Sequence, residues 1–393
     1  MSQESTTAQP AVRQALHPFG TSIFTEMTFL SNQVGAVNLS QGFPDFEGPE
    51  EIRRAAAEAI MRGPNQYCPS MGIASLREAV ALKMKRFYGV DVDADREVTV
   101  TAGASEAIGA ALLGLVDPGD EVILLEPCYD LYPPMAAMAG AKTVYVPLKR
   151  PGFGLPRDAL AEAFTDRTAA IIINNPLNPT GKVFTRDELE HIGNLCEEYN
   201  AVAIGDEVYE HLVYDGRKHV TLLQVPSLRE RSIVISSTAK TFSLTGWKVG
   251  YAVACPNLSE AVRMSHQFIT FCTPSALQEA MASAIGMADS YYETLLLEYG
   301  SRRQRLCRAL EDMGFETYRP EGTYYASIDI SPLGFEDDLA FCRCLTTEVG
   351  VAAIPASFFW KDRRAGKDLV RFCFCKKDET LDSAIERLAK WRP

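Results

Sequence analysis

The 393-residue chain has no basic excess, no long apolar run and no metal-type cysteine spacing, and each absence removes a class of function. Acidic residues number 51 against 39 basic ones, a net charge of -12. A nucleic-acid partner, whose phosphates attract a basic face, is therefore not expected. No stretch stays apolar over the roughly 20 residues that a spanning helix needs, so no membrane partner is expected either. The opening, MSQESTTAQP, lacks the basic-then-apolar order of a secretory leader, which points to a cytoplasmic protein. The closest pairs among the ten cysteines, Cys342/Cys344 and Cys373/Cys375, are separated by one residue, unlike zinc ligands. Residues two apart share a face of a strand, so both pairs read as small apolar fillers kept reduced. His211 and His219 belong to no cluster with ligand spacing and are assigned structural roles; no metal is expected. Internal repeats and low-complexity segments are also absent.

What is present is an ordinary globular composition, 47% hydrophobic and 23% charged, in a chain long enough for one large and one small domain. Between residues 97 and 255, strand-like runs alternate with helix-period segments. The strand candidates are EVTVTAG, DEVILLEP, KTVYVPL, TAAIIINNP, NAVAIGDEVY, RSIVISS and KVGYAVAC. Runs that are apolar throughout, such as AAIIIN and AVAIG, suit strands covered on both faces. SEAIGAALLGLV and TRDELEHIGNLCEEY read as helices, the second opening on Thr185 as N-cap with Glu188 three residues on. This alternation predicts an α/β fold, a mostly parallel seven-stranded sheet with helices on both faces. A long helical pattern over roughly 276–313, then the strands GTYYASIDI and LVRFCFC, predict a smaller α+β domain. Its expected extent is 1–46 with 291–393, leaving 47–290 as the large domain.

Ligands of such folds bind at the carboxyl ends of the parallel strands. TAGAS, Thr101 to Ser105, turns from strand to helix and offers backbone N–H groups to an anion. EPCYD places Tyr129 past the second strand, and NNPLNPTG leaves Asn178 in a proline-flanked loop. GDEVY ends an apolar strand on Asp206 and Glu207, followed by Tyr209. SSTAKTFSLTGWKVGY then sets Ser237, Lys240 and Lys248 after the strand SIVI. Taken singly, these residues have plain alternatives: a solvated lysine, an N-cap carboxylate pair, core aromatics, a turn. Taken together they suit a flat, anionic heterocycle carrying an aldehyde, and pyridoxal 5′-phosphate (PLP) has those parts. A lysine, costly to bury as a free cation, is held there if it bonds covalently to that aldehyde.

NPTG, GDEVY and SxxxKTFSLTGWKVGY, in that order and spacing, resemble a fold-type I, PLP-dependent class I aminotransferase over essentially the whole chain. FGTSIFTEM, VNLSQGFPDF, NQYCPSMGIASLREAV, EGTYY and RFCFCKKDETL are similar to segments of its methionine and kynurenine aminotransferase branch. The resemblance implies that Lys240 is the Schiff-base lysine and Asp206 the partner of the pyridinium nitrogen. It implies Tyr209 and Asn178 at the ring 3′-oxygen and Tyr129 stacked on the ring. Ala104, Ser105, Ser237 and Lys248 would contact the phosphate. Tyr67 would reach it from the neighbouring subunit of a homodimer, with Phe271 also crossing that interface. Arg371, with Asn178, would grip the substrate α-carboxylate, a task for a planar fork rather than a lysine. Gly42, Phe271, Tyr132, Phe19 and Ile23 would complete an apolar substrate pocket. Lys248 stands where many class I members have arginine, and Ala239 where some have a hydroxyl.

The activity so implied is transfer of an amino group from methionine, an aromatic amino acid or kynurenine to a 2-oxo acid. Lys240 would move the Cα proton, and ping-pong kinetics would result. A cysteine-S-conjugate β-lyase uses the same carbanion, and an aspartate-type aminotransferase would need a second arginine. A PLP-binding regulator would need a basic DNA-binding module, which this acidic chain does not show.

Overall fold

Two apolar runs, Ala169–Ile173 and Val202–Gly205, dictate the centre of the molecule, since strands covered on both faces must be apolar at every position. In the computed structural model, which describes residues 13–391, they are β5 (Thr168–Asn174) and β6 (Val202–Asp206). Met1–Pro10, read above for a leader, and the first residues of the expected small domain lie outside the described residues.

Around β5 and β6 a seven-stranded sheet is built from all seven candidate runs. The further strands are β2 (Val98–Thr101), β3 (Glu121–Glu126), β4 (Lys142–Pro147), β7 (Ser232–Ser237) and β8 (Gly250–Ala254). Their order is β2-β8-β7-β6-β5-β3-β4, and only β8 runs against the rest. Side chains alternate between faces. Ile171, Ile173 and Val234 enter one apolar core, while Ile172, Ile233 and Ile235 enter another. The second core is closed by Ala107, Ile108 and Ala111 of helix Gly103–Leu115 and by Val262 of helix Pro256–Ile269. The first is closed by Leu189 and Ile192 of helix Arg186–Glu198 and by Leu76 and Val80 of helix Ala74–Tyr88. Helix Arg186–Glu198 opens on the expected capping box, with Thr185 accepting from the Glu188 N–H and the Glu188 carboxylate accepting in return.

The C-terminal part forms an antiparallel sheet of order β12-β13-β10-β9, from β9 (Glu316–Tyr318), β10 (Tyr325–Asp329), β12 (Ile354–Pro355) and β13 (Leu369–Cys373). The N-terminal segment joins it through β1 (Val37–Asn38), which pairs in parallel with β11 (Val351–Ala352). Two expectations are corrected. The helical pattern over 276–313 is two helices, Ser275–Ile285 and Asp289–Asp312. Gly286 caps the first and Ala288 is extended, so the path turns although the periodicity runs on. Cys342 and Cys344 lie on helix Asp338–Cys344 rather than a strand. Two residues are about 200° of helical turn, so Cys342 is buried and Cys344 half-buried. Cys373 and Cys375, at the end of β13, are both buried.

Parallel pairing brings Thr101, Asn174, Asp206 and Ser237 to one edge of the large sheet. Because β8 runs the other way, its beginning lies at that same edge, and Lys248 arrives just before Gly250.

Candidate active site

At this edge lies a cavity of about 470 Å3. One end has the makings of an anion site. Helix Gly103–Leu115 starts there, with Ala104 and Ser105 in its first turn pointing free N–H groups at the cavity. Gly103 has φ +77°, and a Cβ on it would stand 3.1 Å from the Lys248 Nζ, so the glycine makes room for the ammonium. Lys248 itself is left-handed, φ 53°, a strained setting for a lysine that turns the chain back into β8. Ser237 adds its hydroxyl, which accepts from Ala239 N at 3.1 Å at the start of the turn that carries Lys240.

The far wall holds Asp206, Tyr209 and Lys240, all lining the cavity. Burial pushes the Asp206 carboxyl up from its usual range. The Tyr132 hydroxyl, the Val208 N–H and the Lys240 charge pull it back down. Tyr132 donates to Asp206 Oδ2 at 2.7 Å and Val208 N at a longer 3.4 Å to Oδ1. Lys240 donates to the carbonyl of Gly42 at 3.4 Å and lies 5.7 Å from the Tyr209 ring centre. Burial lowers its pKa, with Cys375 and Asp206 opposing, so its amine sheds a proton more readily than an exposed lysine. The Tyr209 hydroxyl sits 3.2 Å from that of Tyr325. Tyr129 lines the cavity above this floor and meets Tyr132 edge to face.

Asn178 also lines the cavity, held by its N–H to Asn174 Oδ1 at 2.7 Å. Arg371 sits one layer behind. It is fully buried and donates to Asn178 Oδ1 at 2.7 Å and to the Ser40 carbonyl at 3.1 Å. Its guanidinium lies 4.0 Å from the centre of the Tyr325 ring, and its buried Nε has no partner. No carboxylate forms an ion pair with Arg371 or Lys240 among the described residues. A buried Arg371 and a half-buried Lys240, neither in a direct ion pair, suit a small acid ligand.

The set can hold PLP. A helix N-terminus with Lys248 and Ser237 suits its phosphate, Asp206 its ring nitrogen, Tyr209 its ring hydroxyl and Lys240 its aldehyde. Gly42 lines the cavity as expected, and a Cβ on it would fall 1.9 Å from the Tyr325 hydroxyl.

Three expected residues of this chain lie outside the cavity lining, and the two expected from a neighbouring subunit, Tyr67 and Phe271, lie on this chain's surface. Tyr132 is buried behind the wall, because its hydroxyl is drawn to Asp206. Ile23 is 3% exposed and packs into the core from the first turn of helix Ile23–Val34. Phe19 stands 39% exposed outside the cavity. Tyr67 and Phe271 meet edge to face at 5.3 Å on the surface, Tyr67 being 85% exposed. The cavity of this chain is also lined by Ser22, Phe24, Thr25, Gln41, Asp130 and Leu131. Tyr325, Asn174 and Asp130 were not singled out from sequence. Tyr325 reaches Tyr209 across 116 residues, a distance at which no local pattern speaks.

The remaining titratable cluster is structural. Lys83, fully buried, pairs with Glu210 at 2.5 Å and donates to the Tyr251 hydroxyl at 2.8 Å, while Ser236 donates to Glu210 at 2.5 Å. His211 is held neutral beside it, burial pushing it down to about 3, and His219 bonds Glu207 at 2.9 Å.

A profile of the family described as aminotransferase class I and II matches residues 34–388. The chain is 47% identical over 385 residues to a probable N-succinyldiaminopimelate aminotransferase of Mycobacterium tuberculosis, covering 95% of this chain and 97% of that protein. A solved structure of the N-succinyldiaminopimelate aminotransferase from that organism superposes with a TM-score of 0.94, over 96% of this chain and 99% of the other. Identity to the methionine aminotransferase of Escherichia coli is 41% over 383 residues, 97% of this chain and 99% of that one. Identity to the human kynurenine–oxoglutarate transaminase 3 is 36% over 399 residues, 94% and 88%.

Proposed function

The chain belongs to the class I and II aminotransferases, a family of PLP-dependent transaminases, and from that premise we propose that its amino donor is an L-amino acid of the methionine, aromatic or kynurenine kind. The 2-oxo acid product and an incoming 2-oxo acid acceptor exchange at the same site. The observation that carries the site reading is Lys240 lining the cavity with Asp206 and Tyr209, while the buried Arg371 donates to Asn178 on the same lining. Bound PLP supplies an electron sink for the carbanion left when the Cα–H bond breaks. Lys240 would hold the cofactor aldehyde, and its amine, with a lowered pKa, would take the Cα proton and return it. Asp206 would pair with the ring nitrogen, Tyr209 and Asn178 with the ring oxygen, and Tyr129 would lie against the ring. Ala104, Ser105, Ser237 and Lys248 anchor the phosphate. Arg371, reached past Phe24 and Asn178, receives the α-carboxylate.

No arginine lines the cavity among the described residues, which favours a donor without a side-chain carboxylate over an aspartate-type one. We assign 47–290 to a large domain and 1–46 with 291–393 to a small one, the β1–β11 pairing supporting that division. The exposed apolar side chains Tyr67, Phe268 and Phe271 support a homodimer in which Tyr67 reaches the partner's phosphate cup. The free state of all ten cysteines fits a cytoplasmic setting, and no helix among the described residues is long and apolar enough to cross a membrane.

The test is reduction of the yellow holoenzyme with borohydride, which should fix the cofactor to Lys240; a label on any other lysine sinks the assignment. Lys240→Ala should lose transamination by at least ~10³-fold while still binding cofactor. Pyruvate and ammonia released from a cysteine S-conjugate without any acceptor would establish the β-lyase instead. N-succinyldiaminopimelate belongs in the donor panel.

A further inference from the structure

Asp130 is a carboxylate to which none of the roles above gives a task. It follows Tyr129 and lines the cavity. Its one donor among the described residues is its own backbone N–H. Capping does not explain it, since the N-cap of helix Tyr132–Ala139 is Leu131 and no side chain caps that helix. Neutralising Arg371 does not explain it either, because the two attract but form no ion pair. Burial pushes the carboxyl up to about 6, so at neutral pH it is chiefly an anion in the cavity lining.

Two polar residues of the same lining, Gln41 and Ser22, offer acceptors. Gln41 uses both amide hydrogens, on the Phe24 carbonyl at 3.2 Å and on Thr28 Oγ1 at 2.8 Å, which leaves a carbonyl oxygen as what it can offer. Ser22 Oγ accepts from Thr25 N at 3.3 Å and lies 3.2 Å from the Thr25 hydroxyl. Asp130 and Gln41 thus make this wall rich in acceptors. A ligand group that donates hydrogen bonds is satisfied there, whereas a carboxylate meets like charge and loses water without compensation.

Resting on the aminotransferase reading, we propose that Asp130 determines specificity: it selects amino donors whose side chain carries an N–H group, such as an amide or an aniline, and rejects those ending in a carboxylate. The test compares kcat/KM of holoenzyme and Asp130→Asn for glutamine, kynurenine, methionine and glutamate. Methionine, without N–H or charge in its side chain, is the internal reference. The glutamate-to-methionine ratio should rise at least ~10-fold in the variant, and the ratios for glutamine and kynurenine should fall several-fold, with the cofactor absorbance unchanged. Should the asparagine variant fail to load cofactor, Asp130→Ser makes the same comparison. A common factor across all four donors, or none, overturns the proposal and leaves Asp130 a general partner of Arg371. A wild type inert with every donor overturns both readings; an active one whose ratios survive the substitution overturns this one alone.

Discussion

Replacing Tyr132 by phenylalanine removes one oxygen from the protein and tests how Asp206 is kept ionised. Tyr132 is 2% exposed, and its ring meets Tyr129 edge to face at 5.8 Å, a contact that phenylalanine preserves. What is lost is the 2.7 Å bond to Asp206 Oδ2, leaving the carboxylate with the longer Val208 N–H and the charge of Lys240. A hydrogen bond to a charged group contributes about 1.5–3 kcal/mol. At 1.36 kcal/mol per pKa unit, the Asp206 carboxyl should rise by about 1–2 units beyond the upward push that burial already exerts. In the proposed reaction Asp206 acts as an anion, so a raised pKa loses activity on the acid side first. The acidic limb of the kcat profile should therefore move to higher pH by about 1–2 units. Cofactor affinity should fall roughly 10- to 100-fold near neutrality, each factor of ten being about 1.4 kcal/mol. The assay is kcat against pH at saturating cofactor, with cofactor dissociation followed by fluorescence and the apoprotein melt checking the fold. An affinity within twofold of wild type together with an unshifted acid limb would refute the reasoning.

Two further outcomes are expected. Glu210→Gln leaves Lys83 charged and unpaired in the core and should cost about 3–5 kcal/mol in denaturant unfolding, whereas Glu210→Gln with Lys83→Met should recover much of it. Lys83 holds the Glu210 carboxyl well below its usual value against burial, so that stabilisation is present above about pH 4.3 and fades as pH falls further; the acid arm of the stability profile should flatten in the variant. Gly42→Ala places a methyl against the Tyr325 hydroxyl; it should destabilise by about 1–3 kcal/mol and lower kcat, and a variant with wild-type melting and rate would show that Tyr325 moves freely.

The large sheet was legible because its strands carry their own signal. Seven short runs, several apolar at every position, can be stable only when covered on both faces, and parallel order follows from the helices between them. The strand-end residues Asp206, Ser237, Lys240 and Lys248 were legible for the same reason: strand ends order them along the chain as they lie in space. The break at Gly286–Ala288 was not legible, because helical periodicity continues through it and only the directions of the two helices reveal the turn. Cys342 and Cys344 misled through a two-residue spacing that means one face in a strand and opposite sides in a helix.

By itself the sequence determined the chemistry: a lysine, a carboxylate and an anion cup at the ends of strands that must be buried. Tertiary structure alone decided who serves whom. Tyr132 turns inward to Asp206, Arg371 donates to Asn178 from outside the lining, and Asp130, Ser22 and Thr25 join Phe24 and Leu131 along the cavity. Contacts between residues 74 to 193 positions apart depend on how helices and strands pack, and no local pattern of residues encodes that distance.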